Sequence, residues 1–274
     1  MASELLMARD GVRLAALDFG GTGPSALLLH GLAGYAGEWA ATAHRLTARC
    51  RVVALDARGH GRSEQTPADV SRAAHVGDAA YAIERLALGP AVVVGQSLGG
   101  QAALLLAAER PDLVRGLVLA DAGPGGGDDD EGAVEANVHD LMRSLGRWPV
   151  PFASREAAVD FFGGPSPSAE AWAGGLELRA AGWWPRFDAG VMARTLREAT
   201  QRSYWEQWER ISCPVLVVRA GRGQLSAADA RAMAERGQRV EVVDLPDAGH
   251  DLHLDSPDEW FAALVQFLDA LAAA

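Results

Sequence analysis

The chain has 274 residues, 49% of them hydrophobic, enough to bury the core of one domain of the larger α/β kind and to form an enzyme by itself. Its formal net charge of -11, with no Lys/Arg cluster, argues against a nucleic-acid partner, because phosphate backbones are met by basic patches. No basic start followed by an apolar stretch precedes the first strand, and no apolar run approaches the roughly 20 residues that cross a bilayer, so a soluble, cytoplasmic protein with no membrane partner is expected.

Along the chain, short Val/Leu/Ile runs alternate with Ala-rich helical stretches. GVRLAALDFG is strand-like, SALLLHG ends at a His-Gly, and CRVVALDARGHG ends in a glycine-rich loop. A helical stretch over about 68–88 leads to AVVVGQS, a helix over about 99–109, and LVRGLVLADAG. CPVLVVRAG and RVEVVDLPDAGH follow much later. These runs are apolar on both faces, as strands covered by helices on both sides must be, which predicts a mostly parallel sheet flanked by helices. The two cysteines, Cys50 and Cys213, each open such a run, which fits reduced, buried thiols and no disulfide scaffold.

Between residues 123 and 209 the rhythm changes. The stretch holds no convincing strand, several helical patterns, and six of the eight tryptophans: Trp148, Trp172, Trp183, Trp184, Trp205 and Trp208. It reads as a helical lid inserted into the alternation, dividing a core of 1–122 and 210–274. The acidic run from Asp128 to Glu131 is expected to be a solvated helix start favoured by the macrodipole; a cation site is the alternative, and no metal is assigned.

GQSLG fits G-x-S-x-G, in which a strand turns so sharply into a helix that the serine's backbone is strained and its neighbours must be tiny. Preceded by AVVV and followed by an Ala/Leu helix, it marks Ser97 as a nucleophile between Gly95 and Gly99. A bare helix cap is the alternative. The same turn aims the N–H of Leu98 and the helix's positive end at the point where a negative oxygen would develop. A serine needs a base, and the base an orienting carboxylate. Of seven histidines, His250 in DAGHD is placed best, just past the last predicted strand where loops gather at the carboxyl ends of a parallel sheet. His253 is expected to start a helix or pack, His60 to be structural, and His44, His75 and His139 to be surface or packing residues; His30 leads into the GLAG loop.

Four ordered motifs, HGLAG from His30, DARGHGRS from Asp56, GQSLGG from Gly95 and AGHDLHLDSP from Ala248, resemble the α/β hydrolase superfamily over nearly the whole chain. The resemblance implies the α/β-hydrolase fold, the N–H of Leu32 as the second oxyanion donor beside Leu98, and His250 as general base and then acid. The usual place for the carboxylate, the loop after the next-to-last strand, reads VVRAGRGQLSAADA and has none before Asp229, inside a helical run. Some such proteins carry the acid at the end of the strand after the nucleophile's helix, where Asp121 stands. Asp121 is therefore the expected third member, with Asp229, Asp247 and Asp251 as alternatives, and a turn aspartate as its structural reading.

A serine at the apex, in place of the aspartate of dehalogenases and epoxide hydrolases, implies a carbonyl substrate. The expectation is a serine hydrolase cleaving a small to medium apolar ester or lactone, as monomer or homodimer, with no cofactor. A carbon-carbon bond hydrolase of ring-fission diketones, a cofactor-free haloperoxidase or perhydrolase, and a small-molecule receptor on the same scaffold are the alternatives. Gly31, Tyr35, Trp183 and Trp184 are candidate substrate-binding residues, with Trp39 and Phe161 or Phe162 as further aromatic walls, unless the tryptophans form the lid's own core.

Overall fold

The computed structural model describes residues 2–125 and 131–273. Its strands are β1 (Ser3–Arg9), β2 (Val12–Gly20), β3 (Ser25–Leu29), β4 (Arg51–Leu55), β5 (Ala91–Gln96), β6 (Val114–Ala120), β7 (Leu176–Arg179), β8 (Gly182–Pro185), β9 (Val215–Arg222) and β10 (Val240–Gly249). Eight of them make one sheet in the order β1-β2-β4-β3-β5-β6-β9-β10. From β4 to β10 the pairings are parallel, whereas β1–β2 and β2–β4 are antiparallel. β1 was not foreseen. Its residues SELLMAR carry charge at both ends, and it is an edge strand largely exposed to solvent, so it lacks the apolar run that marks the inner strands.

The inner strands divide their side chains between two cores, as a period of two requires. Leu27, Val53, Val93, Leu117 and Val217 point to one, and Leu28, Val52, Val94, Val118 and Val218 to the other. Eleven α-helices pack around or beyond these faces: α1 (Ala40–Leu46), α2 (Arg72–Arg85), α3 (Ser97–Glu109), α4 (Glu131–Leu145), α5 (Arg155–Phe161), α6 (Pro167–Gly174), α7 (Ala189–Thr200), α8 (Trp205–Glu209), α9 (Ala227–Arg236), α10 (Leu252–Asp255) and α11 (Pro257–Ala273), counted among the described residues. The first core is covered by α2, α3, α8 and α9, the second by α1 and α11. Cys50 is buried, Cys213 half-buried, and both thiols are free.

α4 to α8 fill the segment between β6 and β9. That segment is not helical throughout: β7 and β8 pair as an antiparallel hairpin. β8 opens, directly after the turn, with Gly182 at φ +131°, a conformation that L side chains rarely adopt. Four-residue strands rich in Glu, Arg and Trp carry too short an alternation to read from sequence. Trp205 and Trp208 pack into the core beneath the sheet, with the Trp208 indole donating to the Met233 carbonyl at 3.1 Å. Asp128, Asp129 and Asp130 lie outside the described residues, and Glu131 opens α4 with its carboxylate in the first turn.

Candidate active site

β5 ends at Gln96 and α3 begins at once with Ser97, whose φ is +49°. A non-glycine residue held in this left-handed region costs of order 1 kcal/mol or more, and persists only where the surroundings fix it. Three glycines allow the bend. A Cβ on Gly95 would overlap the backbone of Gly99 and Gly100, one on Gly99 the carbonyls of Leu29 and His30, and one on Gly100 the Ala122 side chain. The result is a half-buried hydroxyl at a backbone apex, at the carboxyl end of the sheet.

His250 lies directly after β10 and its side chain is 28% exposed. Its Nδ1 meets Asp121 Oδ2 at 2.6 Å. Asp121 follows β6, itself at positive φ, and its carboxylate is fully buried. Oδ1 accepts from the amides of Ala220 and Leu225, at 3.2 and 3.3 Å, and Oδ2 from that of Gln224 at 2.6 Å. The loop after β9, which has no carboxylate of its own before Asp229, therefore wraps Asp121 with backbone donors. A Cβ on Gly223 would collide with that carboxylate, so this loop needs a glycine to close on it. Burial opposes the charge on Asp121, but the His250 hydrogen bond and the amides of Gln224 and Ala220 outweigh it, leaving the pKa below the ordinary carboxylate value.

The competing carboxylates are elsewhere. Asp229 sits in the first turn of α9, exposed, and accepts from the Ser226 hydroxyl at 2.6 Å. Asp247 is exposed on β10. Asp251 flanks His250 but faces the other way, as described below.

Gln96 and His250, 154 positions apart in sequence, are joined directly: the Gln96 side-chain amide donates to the His250 carbonyl at 3.1 Å and to Asp251 Oδ1 at 3.3 Å. The residue before Ser97 thus anchors the loop that carries the imidazole. Among the described residues the Ser97 hydroxyl has no hydrogen-bond partner, a common state for such a pair until substrate tightens it. The backbone amides of Leu32 and Leu98 also donate to no other group among the described residues. Leu98 lies in the first turn of α3, where helix amides have no internal acceptor.

A sequence model of the alpha/beta hydrolase family matches residues 26–264. The chain belongs to the alpha/beta hydrolase family. It is 30% identical over 259 residues to 2-(acetamidomethylene)succinate hydrolase of Mesorhizobium japonicum, covering 91% of this chain and 90% of that protein. It is 29% identical over 267 residues to the mouse sn-1-specific diacylglycerol lipase ABHD11, covering 92% and 83%. The crystal structure of E-2-(acetamidomethylene)succinate hydrolase superposes with a TM-score of 0.86 at 26% identity, over 98% of this chain and all of that one. A thermophilic esterase from Thermogutta terrifontis superposes with a TM-score of 0.76 at 26% identity, over 99% of both chains.

In this hydrolase a narrow cleft, lined by neither Ser97 nor His250, lies between the loop after β3 and the inserted segment. Tyr35, Trp148, Trp172, Phe187 and Leu254 give it an aromatic, apolar wall, and Glu38 a single carboxylate. Burial, then the charge of Glu38, pushes the Tyr35 phenol up to about 12, so its hydroxyl keeps its proton. The indole of Trp172 donates to Asp251 Oδ2 at 3.1 Å, which ties α6 to the residue beside His250. Burial raises the Asp251 pKa, against the opposing charges of His253 and His250 and the Trp172 bond.

Two of the expected substrate residues stand elsewhere. Trp183 packs with Phe152 and Phe162 in the insertion's own core, and Trp184 pairs across the hairpin with Glu177, beside the Arg179 guanidinium; neither lines the cleft. The reason is the hairpin, whose successive residues face opposite ways: Trp183 turns into the insertion's core and Trp184 to the other face. Gly31 supports the site from behind, since a Cβ there would strike the Gln96 side chain. Trp39 is fully buried under His253, their rings stacked at 4.2 Å. Phe161 is exposed. Gln96, Trp172 and the bridging role of Asp251 were not singled out by the sequence, because each depends on contacts between distant segments.

Proposed function

We propose that this hydrolase cleaves a carboxylic ester or lactone of a small to medium apolar substrate through an acyl-enzyme at Ser97. The observation that carries the reading is the 2.6 Å bond between His250 and the buried, amide-held Asp121, beside a serine strained into a left-handed bend. Asp121 fixes the imidazole with its proton on Nδ1, which leaves Nε2 free to take the Ser97 proton as the hydroxyl attacks the carbonyl. The negative oxygen of the tetrahedral intermediate falls to the amides of Leu32 and Leu98. His250 returns the proton to the leaving alcohol, and a water activated in the same way then releases the acid.

The aromatic cleft supports an apolar substrate, and the inserted segment serves as a lid that excludes water from it. A fluorophosphonate probe, followed by a panel of esters, lactones and thioesters, tests chemistry and scope together. Ser97→Ala is expected to abolish labelling and turnover. Undiminished labelling of that variant would assign the chemistry to another nucleophile.

A further inference from the structure

Asp251 stands at the N-cap of α10, yet its carboxylate accepts no amide of that helix. An aspartate in this position ordinarily bonds the second or third amide of its own helix. Only its backbone serves the helix, the Asp251 carbonyl accepting from the amides of Leu254 and Asp255 at 2.8 and 3.0 Å. Both carboxylate oxygens go to donors from distant parts of the chain: Oδ1 receives the Gln96 side-chain amide at 3.3 Å, and Oδ2 the Trp172 indole at 3.1 Å. The side chain is half-buried. Burial is the chief influence against its charge and the Glu38 carboxylate adds to it, while His253, His250 and the Trp172 bond oppose them. A carboxylate is kept in such a place where donors meet it.

The two donors belong to different parts of the site. Gln96 is buried in the position before Ser97, and the same amide holds the His250 carbonyl at 3.1 Å. Its side chain also lies against Gly31, where a Cβ would overlap it. Trp172 stands on α6 of the inserted segment, in ring contact with Trp148 and Phe162. The insertion meets the oxyanion loop differently: Val191 and Met192 of α7, with Val70, form an apolar cluster on which Leu32 and Ala33 pack. Apolar contact is non-directional and tolerates sliding. The indole bond is directional, and it ends on the residue next to the imidazole.

We propose that Asp251 is a positioning residue for His250, through which the docking of the inserted segment sets the alignment of the imidazole with Ser97. This role rests on the hydrolase reading of Ser97 and His250. Two donors facing two oxygens require a carboxylate. An amide in its place accepts at its oxygen alone and turns its NH₂ either on the Gln96 amide or on the indole, so one connection is lost in either orientation. A flip of Gln96 to meet that NH₂ would withdraw the bond to the His250 carbonyl.

The test uses Asp251→Asn, which keeps the shape, and a double-mutant cycle of Asp251→Ala with Trp172→Phe. The readouts are p-nitrophenyl ester turnover, the rate at which a small fluorophosphonate labels Ser97, and thermal unfolding of the same samples. Asp251→Asn is expected to lower kcat by about 10- to 100-fold, as a slight misplacement of a reacting group does, with KM within about twofold of wild type. Labelling slows in the same proportion at temperatures well below the unfolding midpoint, a loss that a contact serving stability alone does not cause. The double variant is expected within about threefold of Asp251→Ala, because Trp172→Phe then has no acceptor left to disconnect. An Asp251→Asn kcat within about threefold of wild type, a loss confined to KM, or losses that multiply in the double variant would each overturn the positioning role and leave the Ser97 reading standing. A wild-type protein that is neither labelled nor active on esters overturns the Ser97 reading, and this role falls with it.

Discussion

Replacing Asp121 with Asn changes the site where four donors converge on two oxygens. Oδ1 takes the amides of Ala220 and Leu225, and Oδ2 takes the amide of Gln224 and Nδ1 of His250, the last two both at 2.6 Å. A carboxamide must put its NH₂ at one of these two positions. At the Oδ2 position the NH₂ faces His250, whose Nδ1 must then accept; the ring proton moves to Nε2, the atom required to receive the serine proton. At the Oδ1 position the NH₂ meets two backbone N–H groups, and the oxygen left facing His250 carries no charge to stabilise an imidazolium. Either arrangement predicts a fall in kcat of about 10³- to 10⁴-fold, with KM much less affected. Leaving buried donors unpaired lowers stability by about 1–3 kcal/mol as well. The assay is p-nitrophenyl ester turnover at saturation, with thermal unfolding on the same samples so that loss of fold is read separately from loss of rate. Asp229→Asn, on the exposed first turn of α9, is the control and keeps the wild-type kcat. An Asp121→Asn enzyme within about threefold of wild type, or an equal loss in the Asp229 variant, would refute the assignment of the acid.

Trp172→Phe keeps a ring in the cleft but removes the N–H that Asp251 accepts; kcat/KM is expected to fall about 3- to 10-fold, and an unchanged value means that this link does not hold the His250 loop. Gly95→Ala drives a methyl group into the backbone of Gly99 and Gly100 and is expected to cost about 1–3 kcal/mol in urea unfolding together with most of the activity; retention of both would contradict the tight bend. His60, fully buried, has its pKa pushed down to about 3 by burial and then by His30, whereas an unfolded imidazole titrates near 6.5. Between those values the folded state binds fewer protons than the unfolded state. Its contribution is therefore complete above about pH 6.5 and is lost as the pH falls toward 3, with a slope approaching about 1.4 kcal/mol per unit. His75 acts with the same sign. Urea unfolding at pH 7, 5.5 and 4.5 checks this, and a flat profile would count against two imidazoles buried neutral.

What could be read from the sequence follows the range of the interaction that decides each feature. The inner strands show as apolar runs because each is buried on both faces by helices, and the bend at Ser97 shows because its steric demands fall on Gly95, Gly99 and Gly100, all within three residues of it. The hairpin of β7 and β8 did not show, since eight residues of Leu, Glu, Arg, Gly, Trp and Pro give no lasting period, and the Trp183 indole settles inward only once α5 and α6 are beside it. The same limit explains why Trp183 and Trp184 do not line the cleft: composition indicated aromatic walls, but only packing shows that Trp148 and Trp172 line this one.

The carboxylate at Asp121 is the intermediate case, and it has a structural logic. β6 and β9 are neighbours in register, with Ala120 opposite Val218, so the ends of both strands reach the same imidazole from adjacent positions. Moving the acid from the end of β9 to the end of β6 leaves the β9 loop with a different duty. Freed of the carboxylate, VVRAGRGQLS must present amides instead, and the Gly223 position in that stretch is what lets Gln224 and Leu225 close over Asp121. The two loops thus exchange acceptor for donors as a pair. Restoring a carboxylate to the β9 loop without removing Asp121 would therefore set two anions against each other at His250 and raise the pKa of at least one, which makes the double exchange, and not the single change, the route between the two arrangements.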